Sequence, residues 1–314
     1  MPRLLRYIGL RLLQTIPSLI AVSIVAFVLL RLAPGDPARV LAGPRASQAT
    51  IDSIRHSMGL DQPIYVQYWD YVTHAVHGDF GYDLTGSQTV GSVIASGASV
   101  TLWLAVASLI LTVVISVSLA VIAARRPDGL VDGLIRGFSV GGMALPSFWV
   151  AVMLLIYLAL RTGWFPIGGW PQGFGDRVNA IFLPALTMAI SLAPILVRSL
   201  RSSLIEVLNA DYVLAARSAG VKGPRLLFSY VLRNSLLPSI PLLAIIIGFL
   251  LGGSVVVESA YNLPGLGQTL VHAVTTEDAN VVQGITLVLG TLILLVYLLA
   301  DVAVSLVDPR VRLR

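Results

Sequence analysis

Cysteine is absent from all 314 residues, so neither a disulfide framework nor a thiolate metal site can be built. Charge is scarce: Asp, Glu, Lys and Arg make up 12% of the chain, against roughly 25% in soluble domains. Lysine occurs once, at Lys222, and Val221 precedes it. The phosphate-cradling G-x-x-x-x-G-K-[ST] loop is therefore missing, and the chain cannot by itself bind ATP in that manner. The histidines are His56, His74, His77 and His272. All four stand outside the long apolar runs, so no general base reaches Ser139 in "GFSVG". That stretch fits the G-x-S-x-G elbow by spelling, but the elbow needs a strand before it and a helix after it. Small residues inside an apolar run instead suit close helix packing. His74 and His77 share an aromatic helix near Asp79, which is weak support for a metal site.

What is abundant is apolar surface, at 56% of the residues. Six runs carry no Asp, Glu, Lys, Arg or His: Leu12 to Leu30, Ala98 to Ala124, Gly137 to Leu160, Val178 to Val197, Asn234 to Val257, and Ala279 to Ala300. Crossing a bilayer takes about 20 helical residues, and a buried core helix keeps a polar face. The runs predict an all-α integral membrane protein with six transmembrane helices. A basic start followed by an apolar run resembles a signal peptide, but the run is long and Pro34 and Pro37 crowd its end, so an uncleaved first helix is expected. Pro17, Pro146, Pro184, Pro194 and Pro241 are candidate bends in the spans.

The net charge of +5 is distributed by side rather than as a nucleic-acid patch. Fifteen of the Lys and Arg residues fall in the two tails and the second and fourth connections, and six on the other side. By the positive-inside rule both termini are cytoplasmic. The spans hold no ionisable residue to carry a coupling ion; Glu258 and Asp301 stand at span ends. An ion-coupled secondary transporter is thus the poorer alternative, though coordination by carbonyls and hydroxyls stays open.

Two connections are long. Outside, Pro34 to Ser96 opens with "PGDP", a turn signal. It then predicts a helix capped by Thr50 and stopped by Gly59, and an aromatic helix "IYVQYWDYVTHAV" from Gln62-Pro63 to Gly78. Its aromatics either anchor it at the membrane interface or pack it on the outer helix ends. Six aspartates against three arginines make the segment acidic. Inside, Arg198 to Arg233 is too long for a plain link. Asp211 is expected as the N-cap of "YVLAARSA", Gly220 as its left-handed stop, and Gly223-Pro224 as a restart. Ala215, Ala216, Ser218, Ala219 and Gly220 form a small face that admits a close partner. Arg217, Lys222 and Arg225 can pair with acids on it.

This inner stretch resembles the EAA loop of ABC importer permeases. Glu-Ala-Ala, three residues and Gly map to Leu214, Ala215, Ala216 and Gly220, with Leu214 in place of the Glu. "DYVLAARSAG" matches the D-Y-V-x-x-A-R-x-x-G form of the peptide-importer subfamily. "LAPGDP", "GLDQPIYVQY", "GDFG", "ALPSFW", "RSSLIEVL", "LRNSLLP", "NLPGLG" and "DPRVR" follow in order, and the whole chain is similar to DppB/OppB-type permeases of dipeptide, oligopeptide and nickel importers. The resemblance implies the type I ABC importer permease fold in a bacterial plasma membrane. It implies no enzyme activity in this chain; ATP and Mg would be bound by two partner ATPase subunits. A second homologous permease subunit and an extracellular solute-binding protein would complete the complex among membrane lipid, with no nucleic acid. Short peptides are the expected cargo, with nickel or a glutathione-like molecule as alternatives. The implied parts are a tail and first helix (1–33), an extracellular helical segment (34–97) and a permease core (98–314) with its coupling loop at about 199–233. The ATPase-docking residues would be Asp211, Leu214, Ala215, Ala216, Arg217, Ala219, Gly220, Val221, Lys222 and Arg225.

Overall fold

The computed structural model describes residues 2–32, 37–43, 45–57 and 59–307. The first part of "PGDP" and the carboxyl-terminal "DPRVR" lie outside the described residues. Among those described there is no strand, only one isolated bridge between Tyr82 and Thr89.

Four helices hold stretches long and apolar enough to cross a membrane: α1 (Pro2–Leu32), α5 (Val90–Arg125), α8 (Phe174–Leu208) and α14 (Ala279–Val307). Between α1 and α5 lie α2 (Pro37–Ala42), α3 (Gln48–Ser57) and α4 (Ile64–Val76). The remaining spans are bent pairs. The first joins α6 (Leu130–Ala144) and α7 (Ser147–Leu160) at 105°, and the second joins α10 (Gly223–Ser235) and α11 (Leu237–Gly252) at 41°. Each pair taken as one crossing brings the total to six. Between the second pair and α14 lie α12 (Ser254–Ala260) and α13 (Leu266–Thr275).

The sharp elbow falls at Pro146, one of the candidate bends, inside the run from Gly137 to Leu160. Pro146 has no N–H to continue α6 and forces Leu145 out of the helical region, to ψ 123°. α7 then loosens into a wide π turn over Leu155–Leu160. The fifth expected span likewise breaks, after Gly252. By contrast Pro184 and Pro194 sit within an unbroken α8, and Pro17 within α1.

α5 and α8 form the spine. The buried face of α5 runs on from Leu104 through Ser108, Thr112, Ser116 and Ala120, a four-residue repeat of small side chains after the leucine. It meets Ala185, Ala189 and Ala193 of α8, all fully buried. Small residues let two backbones approach, which is how helices associate where lipid removes the hydrophobic drive. The Ser116 hydroxyl donates to the Ala193 carbonyl at 3.2 Å. α6 joins them through Gly142, where a Cβ would stand 2.9 Å from Pro194 Cγ. Ser139 of "GFSVG" is buried and donates to the Ile135 carbonyl of its own helix, which is a packing role.

α1 lies against α14, and Arg11 reaches Asp301 at 3.0 Å. The start of α1 and the end of α14 therefore share one end of the bundle. At the other end the Leu84 amide donates to Asp278 at 2.8 Å, beside the start of α14. There α4 divides its aromatics by face. Tyr68 and Tyr71 pack on Phe27 of α1, and Tyr68 hydrogen-bonds Ser23 at 2.8 Å. Tyr65 and Trp69 are exposed. α3 is capped by the Ser47 hydroxyl, which accepts from the Thr50 amide at 3.2 Å. Ser47, rather than Thr50, is thus the cap, because the helix starts at Gln48, three residues before Ile51 where its apolar pattern begins.

Candidate coupling site

A short helix, α9 (Asp211–Ser218), projects at the basic end after α8. Ala210 is its N-cap, and no side chain caps it. Asp211 is the first helical residue instead of the cap expected from its type; there its carboxylate faces the positive end of the helix dipole. The far end matches expectation. Gly220 has φ +85°, its N–H donates to Arg217, and the Val221 N–H donates to Ala216, the paired bonds of a Schellman stop. Lys222 then caps α10, with Pro224 in its first turn.

The side chains of α9 divide sharply. Val213 is fully buried and moors the helix to the bundle. Asp211, Tyr212, Leu214, Ala215, Arg217, Ser218 and Ala219 are exposed, Ala216 and Val221 half-buried. Lys222 and Arg225 are exposed on the segment that follows. The ten residues proposed from sequence therefore fall on one continuous helix–turn–helix. The small face points outward at Ala215, Ser218 and Ala219, whereas Ala216 turns toward the bundle.

Beneath this helix is a clamp that the sequence reading passed over. Asp132 of α6 is 1% exposed. Arg201 of α8 grips it with two donors, Nε at 2.5 Å and Nη2 at 2.6 Å. The Asp128 amide adds a third bond at 2.9 Å, and Arg136 lies 3.6 Å away. A planar guanidinium forked onto a carboxylate fixes orientation as well as distance. It joins α6 to α8 two turns before the chain leaves for α9. The legible signal was a pair of acids, Asp128 and Asp132, among the arginines of the second connection.

At the opposite end a second buried acid, Glu258, is enclosed completely. It accepts from the Thr101 hydroxyl at 2.8 Å and the Gln268 amide at 3.0 Å. Thr101 in turn accepts from the Leu266 amide at 2.8 Å. Together they satisfy two of the open N–H groups at the start of α13, those of Leu266 and Gln268, from outside that helix. Tyr261, also buried, meets the Thr187 hydroxyl at 2.9 Å. The "NLPGLG" segment is thereby tied to α5 and α8. Glu258 does stand at the end of an apolar run, but its partner Thr101 is 157 residues away, which no local pattern reveals.

Beside α4 opens a cavity of about 660 Å³, lined by His56, Gln67, Asp70, Tyr71 and His74 among others. Burial pushes the Tyr71 phenol pKa above its ordinary value. His74 and His77 each direct Nδ1 to a backbone carbonyl of their own helix. Among the described residues no three His, Cys, Asp or Glu side chains gather as a metal site.

Residues 4–120 match the family "Binding-prot-dependent transport system membrane comp, N-term", and residues 116–313 match "Binding-protein-dependent transport system inner membrane component". The chain is 36% identical over 309 residues to the glutathione transport system permease protein GsiC of Escherichia coli K12, covering 98% of this chain and 99% of that one. GsiC of Salmonella typhimurium LT2 and of Shigella flexneri 8401 match at the same identity and coverage. The helical bundle with its four to six candidate crossings and these matches along the whole length lead to one assignment: the chain belongs to the binding-protein-dependent transport system inner membrane components, as a multi-pass ABC importer permease of the DppB/OppB type in a bacterial inner membrane.

Proposed function

We propose that this permease passes short peptides of the glutathione class across the membrane, with its basic end cytoplasmic. The observation that carries the substrate is the 36% identity, over nearly the full length of both chains, to permeases named for glutathione transport. The ion-coupled carrier gives way to the family assignment. Residues 98–314 form the translocating core beside a second homologous subunit, after the tail and first helix of 1–33. Residues 34–97, whose six aspartates make them acidic, receive an extracellular solute-binding protein.

Within the coupling segment at about 199–233, α9 is the piece gripped by an ATPase. Two such subunits bind ATP and Mg, and the permease does no bond chemistry. Support comes from the exposed small face at Ala215, Ser218 and Ala219, flanked by Arg217, Lys222 and Arg225. Closure of the ATPases displaces α9. Val213 transmits the push to the bundle, and the Asp132–Arg201 clamp makes α6 move with α8. Two packed arrangements of these helices, one open to each side, constitute alternating access.

Uptake in a deletion strain tests the substrate. Labelled glutathione or a dipeptide should enter only when the gene is restored; restoration of nickel uptake alone would refute the peptide reading. The absence of native cysteine makes topology equally direct. Cysteine at Ala49, exposed on α3, should react with an impermeant reagent in spheroplasts. Reaction only after lysis inverts the orientation.

A further inference from the structure

At the basic end a cavity of about 320 Å³ lies between the last turns of α5 and α8, with α9 and α10 on its far side. Val121, Leu204, Ile205 and Leu208 give it apolar walls, and its polar side chains are Arg125, Asn209 and Arg217. No carboxylate lines it. Arg136 and Arg201, by contrast, are spent on Asp128 and Asp132. Among the described residues neither Arg125 nor Arg217 has an ion pair. Two guanidinium groups facing one apolar-walled space without an acid repel each other until an anion joins them.

Two features narrow the anion. First, the cavity sits where α5 and α8 both end; the Ile205, Glu206 and Val207 carbonyls of α8 are taken up by Asn209 and Ala210, whereas the end of α5 has no such cap and its last carbonyls carry partial negative charge. A bare small anion matches the arginines but opposes those carbonyls. A headgroup with a phosphate for the guanidinium forks and hydroxyl donors for the carbonyls matches both. Second, α5 leads away from the cavity along an exposed apolar stripe, Leu102, Val106, Ile110, Val114 and Ile122. The first four stand four residues apart, so neighbours along the stripe adjoin one another while the stripe as a whole winds part-way round α5. The stripe ends one turn before Arg125 and runs along the helix for about 30 Å, the thickness of the hydrocarbon.

We propose that this cavity holds the headgroup of an anionic glycerophospholipid, its phosphate on Arg125 and Arg217 and an acyl chain along α5. Basic pockets between transmembrane helices are suited to such headgroups. Because Arg217 also belongs to α9, a bound lipid steadies the coupling helix from the bundle side. The site does not depend on the ATPase docking proposed above.

The test uses the purified assembled importer in a neutral detergent. Dioleoyl phosphatidylglycerol should raise the thermal midpoint, and dioleoyl phosphatidylcholine should not. Arg125→Gln and Arg217→Gln, made separately, should each raise the half-saturating phosphatidylglycerol concentration at least threefold. Inorganic phosphate and glycerol 3-phosphate, at matched phosphate concentration, should leave the midpoint unmoved. If either reproduces the shift, the site takes small anions and the lipid is wrong. An unchanged phosphatidylglycerol response in both variants also overturns the proposal. So does loss of co-purifying ATPases from Arg125→Gln with that response intact, since the arginines then serve the protein partner. Native mass spectrometry of the parent keeps the question open to refutation if a variant fails to fold: phosphatidylglycerol should be retained over phosphatidylcholine, and equal retention sinks the idea.

Discussion

Glycine does opposite work at the two ends of this bundle. At the basic end Gly220 stands at φ +85°, and a Cβ there would meet nothing within 4 Å. Space is free and conformation is the constraint, because only glycine enters the left-handed region without penalty. At the opposite end Gly265 and Gly267 have no such φ, but a Cβ on either would fall within 2.9 Å of the Glu258 carboxylate. There conformation is free and space is the constraint. The basic end offers an exposed helix on a left-handed glycine stop. The opposite end closes a loop tightly round a buried acid and is held by its own chain.

The contrast can be broken by substitution, and the variants rank by their effect on folding. Asp132→Ala should be the most damaging, because it strands the Arg201 guanidinium in a site where its side chain is 19% exposed. Removing one partner of a buried pair typically costs about 3–5 kcal/mol. Thermal unfolding in detergent reads this; a midpoint equal to the parent's would mean the clamp is absent in the membrane.

Glu258→Ala should follow, since it leaves the Thr101 hydroxyl and the Gln268 amide buried without an acceptor. Hydrogen bonds to a charged group contribute roughly 1.5–3 kcal/mol. If the loop round Glu258 is self-held, this variant keeps its co-purifying ATPases while its unfolding midpoint falls. Loss of ATPases at an unchanged midpoint would erase the distinction between the two ends.

Gly220→Val comes next. A left-handed branched residue costs about 1–2 kcal/mol, confined to the turn after α9. Insertion should be normal and transport strongly reduced. Transport at the parent rate would show that the Schellman stop does not set the coupling helix.

Ala215→Trp should barely change folding, within about 0.5 kcal/mol, as expected for an exposed site. It should nevertheless release the ATPase subunits on purification, because bulk on the small face blocks close approach. Ala216→Trp is a less informative variant: Ala216 is half-buried against the bundle, so the ring disturbs the permease itself. Retention of ATPases by Ala215→Trp would remove α9 from the interface.

The sequence by itself determined the membrane class, the helical content and the place of the short helix α9. These depend on local physics. Uncharged runs of about 20 residues have few alternatives to a membrane helix, and a glycine beyond an apolar–polar turn marks a stop whatever surrounds it. Only the tertiary structure decided which proline bends a span. Pro146 yields an elbow of 105°, whereas Pro184 and Pro194 leave α8 continuous, because packing against α5 and α6 holds the helix across its missing bonds. It also decided which charges are buried. Asp132 and Glu258 each stand at the edge of an apolar run and read locally as solvated ends. Their partners Arg201 and Thr101 lie 69 and 157 residues away, and a buried carboxylate is stable only where such partners converge on it.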